Sequence, residues 1–388
     1  MTPTAVVSAK GAGRWQRGHP WIYAGDVVES PGDAAGVVAV RERNGRPLGV
    51  ALYSPASQIA LRLLDRNPAA LVDAAWWRAR IGAAIARRSA VRDVASAYRL
   101  VHGEGDALPS LVVDRYDRWL VIQLMSAGLE ACRGEIVDAL VQLASPAGIL
   151  ARNDVTLRAK ENLLLGVELL HGDVPRAIEV REHGVKYLAA PWDGQKTGAF
   201  LDQRENRVAV GAVARGRALD CFAYHGSFAL HLARGAAEVT ALDSSAPALE
   251  RARENATLNG FTNITTVEAD AIPWLRDAER SGRQFDTIAL DPPAFAKNKA
   301  SLAAAVRGYT EVNLRAMRLL APGGMLFTAS CSFHLGKAMF LDMLQHAAAD
   351  SGRRLALRAI TGQPADHPEV LAIPETGYLK GAMVEALE

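Results

Sequence analysis

The stretch Ala218-Leu-Asp-Cys-Phe-Ala-Tyr-His-Gly-Ser-Phe228 decides the fold. Leu219 to Phe222 reads as a short buried strand, and Tyr224-His-Gly226 reads as a turn. Ser227 to Gly235 then reads as a helix, with apolar side chains at Phe228, Leu230 and Leu232. Strand, glycine turn and helix open a doubly wound α/β sheet, in which ligands gather at the carboxyl ends of the strands. A second strand, Val239-Thr-Ala-Leu-Asp243, ends in an acid 23 residues after Asp220. That spacing suits a carboxylate accepting from a pair of ribose hydroxyls. Two more segments finish the same way, Thr266-Val-Glu-Ala-Asp270 and Asp286-Thr-Ile-Ala-Leu-Asp291-Pro-Pro. Asp220, Asp243 and Asp270 taken singly fit a helix cap equally well. Together with Asp-Pro-Pro they predict a nucleoside site.

The same loop chooses between ligands. A dinucleotide fold carries G-x-G-x-x-G, whose amides hold pyrophosphate at a helix start. Here there is one glycine, Gly226, with Phe222 and Tyr224 in place of the others. S-adenosylmethionine has a ribose, an adenine and an amino-acid tail but no phosphate, and it fits better. The expected contacts are Asp220, Phe222, Tyr224 and Gly226 from the loop, Asp243-Ser244, Asp270-Ala271, and Asp291. A nicotinamide dehydrogenase is disfavoured by the missing glycines.

At 388 residues the chain has room for two or three domains, and with 49% apolar and 22% charged residues a sizeable core is expected. No apolar run is long enough for a membrane span, and Met-Thr-Pro-Thr-Ala-Val-Val lacks the blocks of a secretion signal. Cys132, Cys221 and Cys331 lie far apart without a C-x-x-C pair, which predicts no metal, no disulfide and a reducing cytoplasm. The net charge of +2 hides an asymmetry, because residues 1–100 carry 14 Lys/Arg against 7 Asp/Glu. A basic N-terminal third predicts a polyanionic partner, since phosphate neutralisation dominates nonspecific nucleic-acid affinity. An arginine-rich genome-wide composition is the plainer alternative.

Residues 1–70 combine short β-like runs with turns at Ser30-Pro-Gly-Asp33, Asn44-Gly45 and Ser54-Pro55, the pattern of a small β-barrel. Lys10, Arg14, Arg17 and His19 would give it a phosphate-binding face. Residues 73–188 read as a central α+β unit, starting with a helix over 73–98 that carries Trp76 and Trp77 as core residues. It continues with a hairpin of Ser110–Asp114 and Trp119–Leu124, a helix over 129–144, and strands near 163–170 and 177–188. Residues 189–388 form the nucleoside domain. There the Lys196-Thr-Gly198 turn, with Thr197, Phe200 and Gln203, is expected to lie over the cofactor.

Asp291 ends one strand and Cys331 ends the next, Met325-Leu-Phe-Thr-Ala-Ser-Cys331-Ser332, so both can face one pocket. Pro292 and Pro293 stiffen the loop between acid and base. Asp-Pro-Pro-aromatic loops suit methylation of an exocyclic base nitrogen, although here the aromatic is Phe295, one place late. The cysteine points to pyrimidine carbon 5 instead. That carbon is too weak a nucleophile until a thiolate adds to carbon 6. Such a thiol needs a positive neighbourhood, with Lys196, Arg204 or a helix end as candidates. A buried structural cysteine, as Cys221 and Cys132 are read, is the alternative.

Several stretches resemble one family end to end: His19-Pro-Trp21, Tyr53-Ser-Pro-Ala-Ser-Gln58, Glu182-His-Gly184, Lys196-Thr-Gly198 with Leu201-Asp-Gln-Arg204, Asp291-Pro-Pro293, Ser330-Cys-Ser332, and Ala365-Asp-His-Pro368 with Tyr378-Leu-Lys-Gly381. The chain is similar to the large-subunit ribosomal RNA cytosine-C5 methyltransferases that carry an N-terminal PUA domain. The resemblance implies a PUA-like barrel, a central α+β domain and a C-terminal Rossmann-like class I methyltransferase domain acting on ribosomal RNA. It makes Cys331 the nucleophile, Asp291 the partner of the base edge, and the 220–228 loop with Asp243 and Asp270 the donor site. Two-cysteine RNA methyltransferases have a second cysteine where this chain has Pro293-Ala294, so the base that completes elimination is not identified. A non-catalytic RNA-binding protein that kept the cofactor fold is the reading from another class. The oligomeric state stays open, with a homodimer as the assembly to test.

Overall fold

The computed structural model describes residues 3–296 and 300–388, and the chain divides into two compact units. The first comprises residues 1–180, 189–201 and 365–376, and the second 181–188, 202–364 and 377–388.

In the first unit, six strands form a sheet whose core contains Val7, Trp15, Ile22, Val38, Ala51 and Leu61. The strands Gly36–Glu42 and Pro47–Tyr53 pair antiparallel across the Asn44-Gly45 turn. Gly49, at φ +149°, lies so close to Asp65 that a Cβ there would strike its carbonyl oxygen at 2.2 Å. A five-stranded sheet follows, and a second core joins Trp77 and Ile81 to Leu111, Ile122, Ile136 and Ile149. The expected single helix over 73–98 is two, Ala74–Ala86 and Ser89–Val94, and Ala97–His102 is already a strand. Gly148–Arg152, buried throughout, is a strand that the alternation test does not flag, because no residue in it faces water.

Segments 189–201 and 365–376 belong to this first unit, whereas the sequence places both in the C-terminal domain. The hydrogen bonds explain why. Arg152 donates to the carbonyls of Pro191 and Gly194 at 2.8 and 3.1 Å, and the Trp192 indole donates to Val174 at 2.8 Å. Arg88 donates to the Asp366 carbonyl at 2.8 Å.

The second unit is built on a seven-stranded sheet: β1 (Arg217–Cys221), β2 (Glu238–Asp243), β3 (Ile264–Glu268), β4 (Phe285–Leu290), β5 (Leu320–Ser330), β6 (Leu355–Thr361) and β7 (Lys380–Ala386). Their spatial order is β3-β2-β1-β4-β5-β7-β6. The first five are parallel, and β7 enters antiparallel between β5 and β6. Chain order reverses between β1 and β4, the switch point at which a crevice opens beyond the strand tips. The central strands are buried on both faces, with Leu219, Leu242, Ile288 and Leu326 all at 0% exposure. Glu182, Arg207 and His231 form a buried ionic group in this unit, with Arg207 donating to both Glu182 oxygens at 2.7 and 2.6 Å. The Arg207 and Glu182 charges oppose each other, which is the condition for burying them.

Candidate active site

Asp220, near the tip of β1, is 1% exposed and accepts the Ala229 amide at 2.8 Å. Burial, reinforced by the charges of Asp291 and Asp243, pushes its carboxyl up to about 8. The loop that follows holds two side-chain-bearing residues in the left-handed region, Phe222 at φ 67° and Tyr224 at φ 48°. Each such residue stores roughly 1–3 kcal/mol, a strain that concentrates at functional loops. Gly226, at φ 75°, starts the helix Ser227–Leu232, and a Cβ there would come within 3.0 Å of Ala252.

The Tyr224 amide donates to one Asp243 oxygen at 2.8 Å and the Ser245 amide to the other at 2.9 Å. Both oxygens are thereby oriented, and each keeps a lone pair for a further donor. Asn255, fully buried, donates to the His225 carbonyl at 2.9 Å and fixes the loop from beneath. Tyr224 stacks on His225, with ring centroids 3.6 Å apart. Ser244 is exposed beside Asp243. Asp270 does not end a strand as the sequence predicts. β3 stops at Glu268, and Asp270 is the exposed N-cap of the helix Ala271–Arg280, with Ala271 as its first residue.

Asp291 and Asp243 lie close enough to Asp220 to raise its proton affinity, and such a group of acids favours a cationic ligand with hydroxyls over a phosphate. A sulfonium and an α-ammonium supply the missing positive charge, so the donor set fits S-adenosylmethionine.

Asp291 and Cys331 follow the tips of β4 and β5, which pair in parallel with Leu290 opposite Thr328. Tyr309 links the two loops. Its hydroxyl donates to the Pro293 carbonyl at 3.2 Å, accepts the Phe295 amide at 3.4 Å, and meets the Ser332 hydroxyl at 2.9 Å. The Ala296 amide also donates to Ser332 Oγ, at 3.2 Å. Cys331 is partly exposed between buried Ser330 and Ser332. Lys380, 3% exposed, donates from Nζ to the carbonyls of Ser332 and Tyr378, both at 2.7 Å. Burial lowers its ammonium to about 8, partly offset by the negative charge of an ionised Cys331. Neither Tyr309 nor Lys380 carries a signal of its own in the sequence, although Lys380 lies within the Tyr378-Leu-Lys-Gly381 stretch.

Gln203, 2% exposed, accepts from Asn206 at 2.6 Å at the start of the helix Arg204–Ala212 in the second unit. Thr197 lies in the first unit, where its hydroxyl donates to Asp114 at 2.6 Å and bonds the Tyr116 hydroxyl at 2.9 Å. Phe200 is in the same segment, with the Lys196 ammonium 4.7 Å from its ring centroid. Lys10 and Arg17 are exposed at either end of the helix Ala9–Gln16. Arg14 lies 4.4 Å over the Tyr23 ring, and His19 bonds Glu375 at 3.2 Å. Among the described residues no cluster has the make-up of a metal site, and no helix is long and apolar enough to cross a membrane.

Comparison with known proteins agrees with this architecture. Residues 6–66 match the PUA-like domain, and residues 98–377 match the S-adenosylmethionine-dependent methyltransferases. The chain is 40% identical over 376 residues to the ribosomal RNA large subunit methyltransferase I of Klebsiella pneumoniae (strain 342), with 94% of each chain covered. It is 40% identical over 381 residues to the Tolumonas auensis protein of that name, with 96% of each covered. A solved structure from Streptococcus mutans, assigned to the SAM-dependent methyltransferases, superposes with a TM-score of 0.83 at 20% identity over 99% of this chain and all of that one. A second, a methyltransferase complexed with SAH, gives 0.84 at 20% identity with the same coverage. By fold and by end-to-end identity, the chain belongs to the S-adenosylmethionine-dependent methyltransferases, in the family of those large-subunit methyltransferase I enzymes.

Proposed function

We propose that the chain makes 5-methylcytosine in large-subunit ribosomal RNA in the cytoplasm, through a covalent adduct between Cys331 and carbon 6 of the base. One observation carries this reading. A partly exposed thiol and a carboxylate follow adjacent parallel strand tips, and the Tyr309 hydroxyl ties their two loops together. The relatives' name supports ribosomal RNA as substrate.

Bound S-adenosylmethionine supplies an electrophilic methyl group. Asp243 would accept from the donor's ribose hydroxyls, and Asp220, the strained 222–226 loop, Ser244, Asp270, Ala271 and Gln203 would hold the rest of it. The Cys331 thiolate forms a bond to carbon 6, and the displaced π electrons make carbon 5 nucleophilic. Asp291 holds the N3/N4 edge of the cytosine and steadies the charge moved into the ring. After methyl transfer the carbon 5 proton leaves to a base, the C5=C6 bond reforms and the thiolate departs. The target must leave its stack first, at a cost of about a few kcal/mol. Lys10, Arg14 and Arg17 offset it by anchoring flanking phosphates.

Bisulfite sequencing of ribosomal RNA from a deletion strain, complemented with the native or the Cys331→Ala protein, tests this. Conversion-resistant cytosine restored by the native protein alone is the expected result. Methylation retained by Cys331→Ala would favour an exocyclic-nitrogen product, which the Asp291-Pro-Pro loop also suits. No methyl incorporation into undermodified RNA from the native protein would leave an RNA-binding role.

A further inference from the structure

We infer that Lys380 is a positioning residue that holds the Cys331 sulfur as a thiolate, an inference that rests on Cys331 being the nucleophile. Its placement brackets the cysteine. In the antiparallel β5–β7 pairing Lys380 lies opposite Ser330, the residue before Cys331, while its Nζ donates to the carbonyl of Ser332, the residue after. The second carbonyl is that of Tyr378 on its own strand approach. An ammonium has three N–H donors, and two carbonyls take two of them. A thiolate is the acceptor whose charge complements the third.

Burial at 3% exposure opposes keeping the ammonium charged, and so does Lys337 at the start of the helix Lys337–Ser351. The opposing influence is the charge of Cys331, which draws the Lys380 ammonium back upward. Ionisation of the thiol passes its proton to solvent and leaves a compact ion pair between neighbouring strands. Among the described residues, the other titratable groups on the neighbouring elements are the Tyr309 hydroxyl from the helix Leu302–Arg318 and Asp291 after β4. Burial and the nearby cysteine charge raise the Tyr309 hydroxyl, so it stays neutral and contributes no competing anion.

The test follows alkylation of Cys331 by iodoacetamide in the full chain, site by site by mass spectrometry, as a function of pH. Cys132 and Cys221 are buried, with thiols pushed up, so they contribute little background. Lys380→Gln keeps N–H donors for the two carbonyls and removes the charge. It is expected to slow alkylation about tenfold at pH 7 and to move the midpoint upward by about one unit or more, with Lys380→Arg closer to the native curve. A folded Lys380→Gln protein with an unchanged curve would overturn the inference. The native protein gives a second check needing no variant. Its midpoint is expected below the ordinary thiol value of about 8.5, and a midpoint at or above that value also overturns it. Methylation by Cys331→Ala would remove the catalytic reading while leaving the alkylation curves intact, so the two failures are distinguishable.

Discussion

Cys221 and Cys331 close neighbouring regions of one sheet and both touch its apolar core, but they differ in burial and in the charges beside them. Cys221 is the last residue of β1 and fully buried, and the acids Asp220 and Asp243 act on it electrostatically. Burial and those negative neighbours drive its thiol far up, which makes it a small apolar core residue. Cys331 stands one residue beyond β5, partly exposed, with Lys380 anchored beside it. A shift of one residue relative to the strand tip, and a change in the sign of the adjacent charge, separate packing from reactivity.

That contrast is broken most severely by exchanging the cysteines' fates. Cys331→Ala should lower methyl transfer by about a thousandfold or more while donor affinity stays near native, as removal of a nucleophile does. Cys221→Ala should instead leave turnover within about threefold and lower unfolding stability by about 1–2 kcal/mol, the signature of a lost packing group. Single-turnover kinetics and chemical denaturation of the two variants decide this. Equal losses of turnover would erase the distinction. Asp291→Asn comes next, with an expected fall in kcat of about a hundredfold if the carboxylate steadies charge that develops only during reaction. A change confined to KM would assign it to binding alone.

Tyr309→Phe sharpens the role of the bridge between the two loops. Losing one buried hydroxyl that serves three partners should cost about 1–3 kcal/mol of stability and about tenfold in kcat, read by thermal unfolding and by rate. The last effect is read in the pH dependence of stability, at Asp220. The Asp220 carboxyl is raised to about 8 in the folded chain from an ordinary 3.8. The folded state therefore retains a proton that the unfolded state has lost, so the stability penalty grows as pH climbs from about 4 to about 8 and then levels off. Asp220→Asn removes that dependence and should gain about 1–3 kcal/mol relative to the parent across this window. Parallel stability curves for parent and variant between pH 5 and pH 8 would contradict it.

Much of the second unit was legible because parallel strands buried on both faces read as short apolar runs, and each ended near an acid or a cysteine. β1, β2 and β4 all end within one residue of their expected tips. Asp270 was misplaced because Val267 and Ala269 continue an apolar alternation past the point where β3 loses its partner. The contributions of Tyr309 and Lys380 depend on contacts across 16 and 48 residues. No local pattern encodes such distances, so an isolated tyrosine in a helix and a lysine in a strand look ordinary. Segment 189–201 reads as an approach to the nucleoside domain because it precedes that domain in the chain. Its loyalty to the first unit rests on buried Arg152 and Asp114, far upstream.

The late arrival of β7 has a consequence for the nascent enzyme. This strand follows β6 in sequence yet wedges between β5 and β6, so the sheet stays open on one side until residues 380–386 thread into the gap. Lys380 enters with it. Until residues 380–386 have paired, Lys380 cannot stand at the side of Cys331, so on the inference above the cation that ionises this thiol is among the last side chains of the sheet to reach its place.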